Sequence, residues 1–211
     1  MLNRSAIHKL TLFFLFLFVA AATDALAAGV GSVTRQQSDV SVTRMGQTIP
    51  LAFDATIYEN DDITTGTDAR IEITFIDGTK LTIGENSRLV IDKFLFDPDN
   101  SVGTAILNAA KGPFRFITGK IGEMANKRVV VQNTFGTIGI RGTDFWGGPA
   151  LGVYGVLLLD GTIVVRTDAG ARILNVSGTG VNLTGSNVPP GEVAPWGQDR
   201  VNAALASISF R

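Results

Sequence analysis

Arg141 and Asp144 are the charged residues of the run T-F-G-T-I-G-I-R-G-T-D-F-W-G-G, which spans Thr134 to Gly148. Phe145 and Trp146 follow them directly, and five glycines punctuate the run. The chemistry open to such a set is recognition rather than reaction: a guanidinium and a carboxylate to hold charge, two rings to cover an apolar or sugar face. The candidate binding or structural signature is therefore Arg141, Gly142, Thr143, Asp144, Phe145 and Trp146. In one arrangement Arg141 and Asp144 line a ligand or partner groove with the two rings. In the other, favoured because turn-rich β structure needs fixing groups, Arg141 pairs with Asp144 or a carbonyl. Asp144 then accepts from turn amides, and the glycines supply unusual φ values.

Other chemistry is sparse. The single His is His8, at the N-terminal end, and there is no Cys. Cys-His and Ser-His-Asp catalysis, Cys/His zinc sites, redox dithiols and disulfides are thereby excluded from the rest of the chain. A hydrolase using carboxylates alone needs two carboxyls facing each other across a cleft, and no motif proposes a pair. Glu59, Asp61 and Asp62, or Asp97, Asp99 and Asn100, offer oxygen ligands for Ca²⁺, but the spacing matches no complete calcium loop. They read as solvated turns, and no cofactor or metal is expected. Phe114, Phe116, Phe145, Trp146 and Trp196 could form an aromatic face for glycan or peptide. Phe114 and Phe116 share one side of a strand, so core packing explains them more simply. Lys111, Arg115, Lys120, Lys127 and Arg128 are scattered basic residues with a solvated surface as their default.

The first 27 residues have the plan of a secretory signal peptide. Arg4, His8 and Lys9 give a positive start, Leu12 to Ala22 is uncharged and rich in Phe and Leu, and Ala25-Leu26-Ala27 fits the small-x-small cleavage rule. The apolar run is shorter than the ~20 residues of a spanning helix, and no Cys follows it for lipid attachment. Cleavage after Ala27 and a periplasmic or secreted location are expected, with no later membrane span. Removing Arg4 and Lys9 from the 18 basic residues and Asp24 from the 19 acidic ones leaves a net charge of about −2. Such a balance gives no electrostatic reason to seek nucleic acid or anionic lipid.

The elements that must position these residues are strands. All 24 glycines follow residue 27, and runs rich in Phe, Ile, Val and Thr fill the gaps between them. Ala69 to Ile76 alternates, with Ile71, Ile73 and Phe75 on one side and Glu72 and Thr74 on the other. Asp77-Gly78 and Asp160-Gly161 are tight-hairpin signals, the second expected between Val156–Leu159 and Thr162–Val165. Further strands are expected over 80–83, 87–96, 104–110, 114–118, 127–134, 152–159, 162–167 and 171–176. Asp97-Pro98-Asp99-Asn100 marks an exposed turn. Val201, Ala204, Leu205 and Ile208 sit at i, i+3, i+4 and i+7, which predicts a short helix with one apolar stripe, read as a packed or frayed tail.

Four stretches resemble the FecR domain in order. Gly46 to Gly66 holds Asp61-Asp62-Ile63-Thr64-Thr65-Gly66, similar to that family's G-D-x-I-x-T-G turn, with Asn60 where Gly is usual. Ala69 to Ile91 holds F-I-D-G-T-K-L-T-I-G-E-N-S, Lys111 to Lys120 reads K-G-P-F-R-F-I-T-G-K, and the opening signature supplies I-G-I-R-G-T-D-F. Together they cover roughly residues 30 to 176. The resemblance implies a periplasmic all-β module of a bacterial envelope. The regulators that give the family its name add a cytosolic anti-sigma segment and a membrane helix. This chain instead looks like a stand-alone exported member.

The expected architecture is all-β: a two-layer sandwich or roll of short antiparallel strands, with a β-solenoid-like coil as the alternative. The expected domains are a signal peptide over 1–27, a FecR-like β domain over 28–188 and a C-terminal tail with a short helix over 189–211. The expected function is non-enzymatic: an exported binding or scaffolding module that engages an envelope protein partner through loops or an exposed strand edge. The alternative is a glycan- or cell-wall-binding module of the periplasm or extracellular matrix.

Overall fold

The computed structural model describes residues 28–211; the expected signal peptide, residues 1–27, lies outside the described residues. In chain order the strands are β1 (Gly31–Gln37), β2 (Val40–Arg44), β3 (Gln47–Pro50), β4 (Thr56–Ile57), β5 (Asp62–Thr65), β6 (Arg70–Phe75), β7 (Lys80–Ile83) and β8 (Arg88–Asp97). They continue as β9 (Val102–Lys111), β10 (Phe114–Ile117), β11 (Asn126–Asn133), β12 (Gly136–Ala150), β13 (Val153–Thr167), β14 (Gly170–Leu174), β15 (Thr179–Asn182) and β16 (Ala194–Pro195). A 3-10 turn spans Lys120–Glu123, and one helix, α1, spans Gln198–Ala206.

The expected all-β class is found, drawn as one continuous sheet that curls on itself like a half-barrel. Its main path runs β3-β2-β5-β8-β9-β11-β12-β10-β7-β6-β1-β4. The curl brings the inward sides of both ends together over a single core. Val42, Ile63, Ile71, Leu81, Leu107, Val131, Ile138 and Ile163 all belong to it and are fully buried. Most of these residues alternate with half-buried or exposed neighbours, as a sheet with one wet face requires, though Arg70 beside Ile71 and Thr82 beside Leu81 are also buried. Phe75 stacks on Phe94 with ring centroids 4.4 Å apart.

Two details depart from the expected plan. β9 and β11 pair in parallel, from Asn126↔Val102 to Asn133↔Ala109. The return path between them is β10 followed by the 3-10 turn, which provides the crossover a parallel pair needs. And Asp160-Gly161 does not turn the chain. β13 runs straight through it, and the register against β12 slips at Ile140/Thr143 and Asp144/Phe145. Gly161 has a φ of +85°, so it satisfies the left-handed backbone of a bulge instead of a hairpin. The true hairpin of this pair is Leu151-Gly152, with φ of 51° and 80°.

Asp77-Gly78 does form the tight turn, between β6 and β7. The Asp77 carboxylate is buried. It accepts from the Thr79 amide at 2.8 Å, the Thr79 hydroxyl at 2.7 Å and the Ile121 amide at 2.9 Å. One side chain thus fixes its own turn and docks the 3-10 segment onto it.

Candidate functional site

β12 is the hub of the sheet. One edge pairs with β13 along its length, whereas the other is divided: Gly136–Gly139 pairs with β11, and Asp144–Gly147 pairs with β10. The signature residues straddle this division. Gly142 takes a φ of +63°, the left-handed conformation a non-glycine residue adopts only at a cost. A Cβ there would meet nothing within 4 Å, so the backbone alone calls for glycine. Beyond the slip, Thr143 is buried and donates its amide to the Thr118 hydroxyl at 3.1 Å.

The expected Arg141–Asp144 pair does not form. Asp144 sits beside β10 and takes the guanidinium of Arg115 instead. Nε of Arg115 donates to Oδ1 at 2.8 Å and Nη2 donates to Oδ2 at 2.5 Å, a bidentate fork. The bond holds the Arg115 guanidinium pKa above its usual value. Arg115 and Trp146 are Cα partners in the β10–β12 ladder, with Ile117 opposite Asp144, so the fork reaches diagonally across two strands. Arg141 points to solvent and has no hydrogen bond or ion pair among the described residues. Arg141 and Asp144 face the same outer side of the sheet across the slip at Gly142, but Asp144 is held by Arg115 and Arg141 is left exposed.

The aromatic pair is not a binding face either. Phe145 lies in the main core, edge-on to Phe114 with centroids 5.8 Å apart, and Phe116 is buried beside it. Trp146, next in sequence, points through the opposite side of the sheet and is also fully buried. It lies under α1 in a second, smaller core with Ala150, Leu157, Ala204 and Ile208. Its indole Nε1 donates to the Ser207 hydroxyl at 3.1 Å. The predicted stripe of α1 is the lid of this second core: Ala204 and Ile208 are buried, and Val201 packs against it. Trp196 meets Trp146 at 5.9 Å and carries the Arg200 guanidinium 3.6 Å above its ring.

The acidic turn residues are committed to structure. Asp61 is buried and accepts two bonds from Arg44 and one from the Tyr58 amide at 2.9 Å. Asp62 pairs with Arg88 at 2.7 Å. Asp97 accepts from the amide and side chain of Asn100, which holds its pKa below the usual carboxylate value. Among the described residues no group of three His, Cys, Asp or Glu side chains is placed to hold a metal ion. No described helix is long and apolar enough to cross a membrane.

The surface feature that periodicity could not reveal is the β3 edge. All four of its residues are exposed, and it pairs only with β2. The β2–β3 turn uses Met45 and Gly46 with φ of 48° and 77°, a pair of left-handed residues suited to a two-residue hairpin. Met45, Ile49 and Phe53 are exposed around it. A shallow trough of about 550 Å³ runs beside the edge, lined by Ile49, Pro50, Leu51 and Ala52 together with Ser41 and Thr64.

The fold and the hub strand define an all-β module with a single covering helix. The model of the FecR protein family matches residues 61–164, so this part of the chain is a FecR domain. The match runs from the start of β5 into β13; it takes in Asp61 to Gly66 from the first stretch of the resemblance, while β1 to β4 lie outside it but in the same sheet. Two crystal structures of a candidate anti-sigma factor from Parabacteroides distasonis ATCC 8503, at 1.65 and 2.50 Å resolution, are similar in fold. Their TM-scores are 0.51 and 0.50, at 15% sequence identity in both cases. The similarity covers 68% of this chain and 64% and 63% of those chains, so this chain spans less than two thirds of their length. No curated protein matches it.

Proposed function

We propose that this protein is an exported binding or scaffolding module of a bacterial envelope that engages a protein partner and performs no catalysis. The observation that carries the reading is the β3 edge. Edge strands are commonly blunted by charge, and Lys above all keeps stray chains away. Gln47-Thr48-Ile49 carries no charge, and Pro50 closes only its end. The outer N–H and C=O groups of such a strand accept an added strand from a partner, and the exposed Ile49 and Phe53 beside it supply apolar area. The fold likeness to a candidate anti-sigma factor accords with a module that works by protein contact. The pattern of residues 1–27 supports export, and a chain whose one His lies in that segment supports the absence of catalysis.

The test is site-specific photocrosslinking in cells, with the reactive group at Thr48 or Ile49 and a control at Asp99 in the β8–β9 turn. A single dominant protein adduct from the β3 positions, absent from the control, is the expected result. Adducts only with wall or matrix polymer would move the assignment to glycan binding. No adduct at either β3 position would sink the edge-pairing reading.

A further inference from the structure

Arginines in this molecule are almost all occupied. Arg44, Arg88, Arg115, Arg172 and Arg211 pair with carboxylates. Arg35 and Arg200 lie over the rings of Phe210 and Trp196. Arg70 is buried, with Nη1 donating to the Asp68 carbonyl at 3.0 Å. Among the described residues three arginines have no such partner: Arg128, Arg141 and Arg166. All three line the same open groove of about 640 Å³ on the outer side of the sheet, where Lys127 joins them and no carboxylate does.

The ladder fixes the layout of the groove. Val130 on β11 faces Gly139 on β12, and Gly139 faces Val164 on β13. These form an apolar row across three strands. Ile106 on β9 opposite Val130 and Ile173 on β14 opposite Val164 extend it at each end. With strands ~4.8 Å apart, the row is about 19 Å long. Arg166 lies opposite Thr137, two residues to one side of the row. Arg128 and Arg141 both lie two residues to the other side. Positive charge therefore borders the apolar row on both sides, with about 13 Å between the two borders at ~3.4 Å per residue. Arg128 and Arg141 crowd like charges on adjoining strands, an arrangement that weakens a sheet unless something negative joins them.

Gly139 is the second, independent sign. It lies between the buried Ile138 and Ile140 in a strand interior, so a side chain there would point outward into the groove. Its φ is not in the left-handed range, and an added Cβ would meet only the Val164 carbonyl oxygen, at 3.8 Å. Neither backbone nor packing demands glycine. A glycine inside a strand weakens it, and such positions mark close approach by another molecule. Here its effect is to leave the floor open in the middle of the row.

We infer that this groove receives an extended acidic peptide segment of a partner protein, laid across β11, β12 and β13. Its apolar side chains rest on the Val130–Gly139–Val164 row and its carboxylates reach the arginines on either side. Guanidinium groups grip carboxylates as two-pronged forks, and the apolar floor favours a peptide with aliphatic side chains over a hydroxylated polysaccharide. The inference rests on the protein-partner reading and adds the chemistry of that partner, at a surface separate from the β3 edge.

The test is selection of a random heptapeptide display library on the purified protein, followed by binding of one enriched synthetic peptide. Enriched sequences are expected to carry an excess of Asp and Glu interleaved with aliphatic residues, and affinity should fall as salt rises. Arg141→Glu with Arg166→Glu should weaken the peptide at least tenfold. Gly139→Val should do the same by filling the floor, while its melting temperature stays at or above that of the parent. Enrichment without acidic excess overturns the inference, as does binding indifferent to these changes. Displacement of the peptides by polygalacturonate at lower concentration would reassign the groove to an anionic polymer. A protein adduct at β3 in cells together with no acidic enrichment would remove this inference alone. Acidic enrichment with no protein adduct anywhere in the envelope would instead remove the protein-partner reading.

Discussion

Replacing Trp146 with alanine tests whether the signature strand is a binding surface or a structural anchor. The indole is fully buried and bonded to Ser207, and it is the largest side chain in the small core between β12 and α1. Truncating a buried Trp costs about 3–5 kcal/mol from lost transfer energy and the cavity left behind. Set against a typical total of ~5–15 kcal/mol, that is a large fraction of the stability. For a domain of this size it corresponds to a fall in Tm of roughly 6–20 °C. Part of the loss should be local, because α1 closes the second core over Ala150 and Leu157, with only the partly buried Leu159 and Trp196 beside them. Thermal unfolding by circular dichroism gives the global number, and hydrogen exchange of the amides over 198–206 gives the local one. Ser207→Ala isolates the hydrogen bond and should cost only about 1 kcal/mol. If Trp146→Ala melts within a degree or two of the parent and the α1 amides keep their protection, the anchor argument fails and Trp146 becomes available to a ligand.

Four further outcomes follow from the same geometry. Arg141→Ala should leave Tm unchanged within the roughly 0.5 kcal/mol of ordinary surface substitutions, since Arg141 holds no internal partner; a clear loss measured by denaturant titration would restore a structural role. Asp77→Ala should cost about 3 kcal/mol or more, because three donors lose a charged acceptor, and exchange should quicken over the 3-10 turn. A double-mutant cycle on Arg115→Ala and Asp144→Ala should give a coupling of about 1 kcal/mol, the pair being only partly shielded from water. Tyr154→Phe should be neutral or stabilising at pH 8, since the buried hydroxyl has no partner among the described residues. Burial raises the pKa of that phenol above its usual 10.0. The unfolded chain therefore loses the proton first, and stability falls as pH rises past that value. Removing the hydroxyl should widen the Tm advantage of the variant between pH 9 and pH 11, and a constant difference would contradict the assignment.

Most of the sheet was legible because its inward residues alternate. Ile71, Ile73 and Phe75 were placed on one side by period alone, and Asp77-Gly78 turned where a tight turn was expected. Asp160-Gly161 misled because a left-handed glycine serves a bulge as well as a hairpin. Only the register of the partner strand distinguishes the two, and that register is non-local. The same limit hid the parallel β9–β11 pair. At the site, the sequence order Arg141-Gly142-Thr143-Asp144 suggested a local ion pair, whereas Asp144 reaches Arg115, 29 residues away. The consecutive burial of Phe145 and Trp146 on opposite sides did have a signal. It lay in the apolar stripe of the C-terminal segment, which required a surface to cover. Nothing local marked Arg128, Arg141 and Arg166 as neighbours, because three separate strands bring them together.

The division of β12 between two partners has a consequence for how the chain reaches this structure. β12 and β13 are contiguous and joined by a two-residue turn, so they can zip as a hairpin on the microsecond scale. β11 joins the hub just as locally, through the two-residue turn Thr134-Phe135 with Asn133 opposite Gly136, whereas β10 and the earlier strands must be brought in across longer separations. β10 docks beside β11 on the same edge of the hub, and β1 to β9 close around them. Such non-local pairings are the slow part of folding a β protein. The long hairpin is therefore the natural template for the rest. A change that weakens the β12–β13 pairing should slow folding, and one at β3 or α1 should mainly speed unfolding.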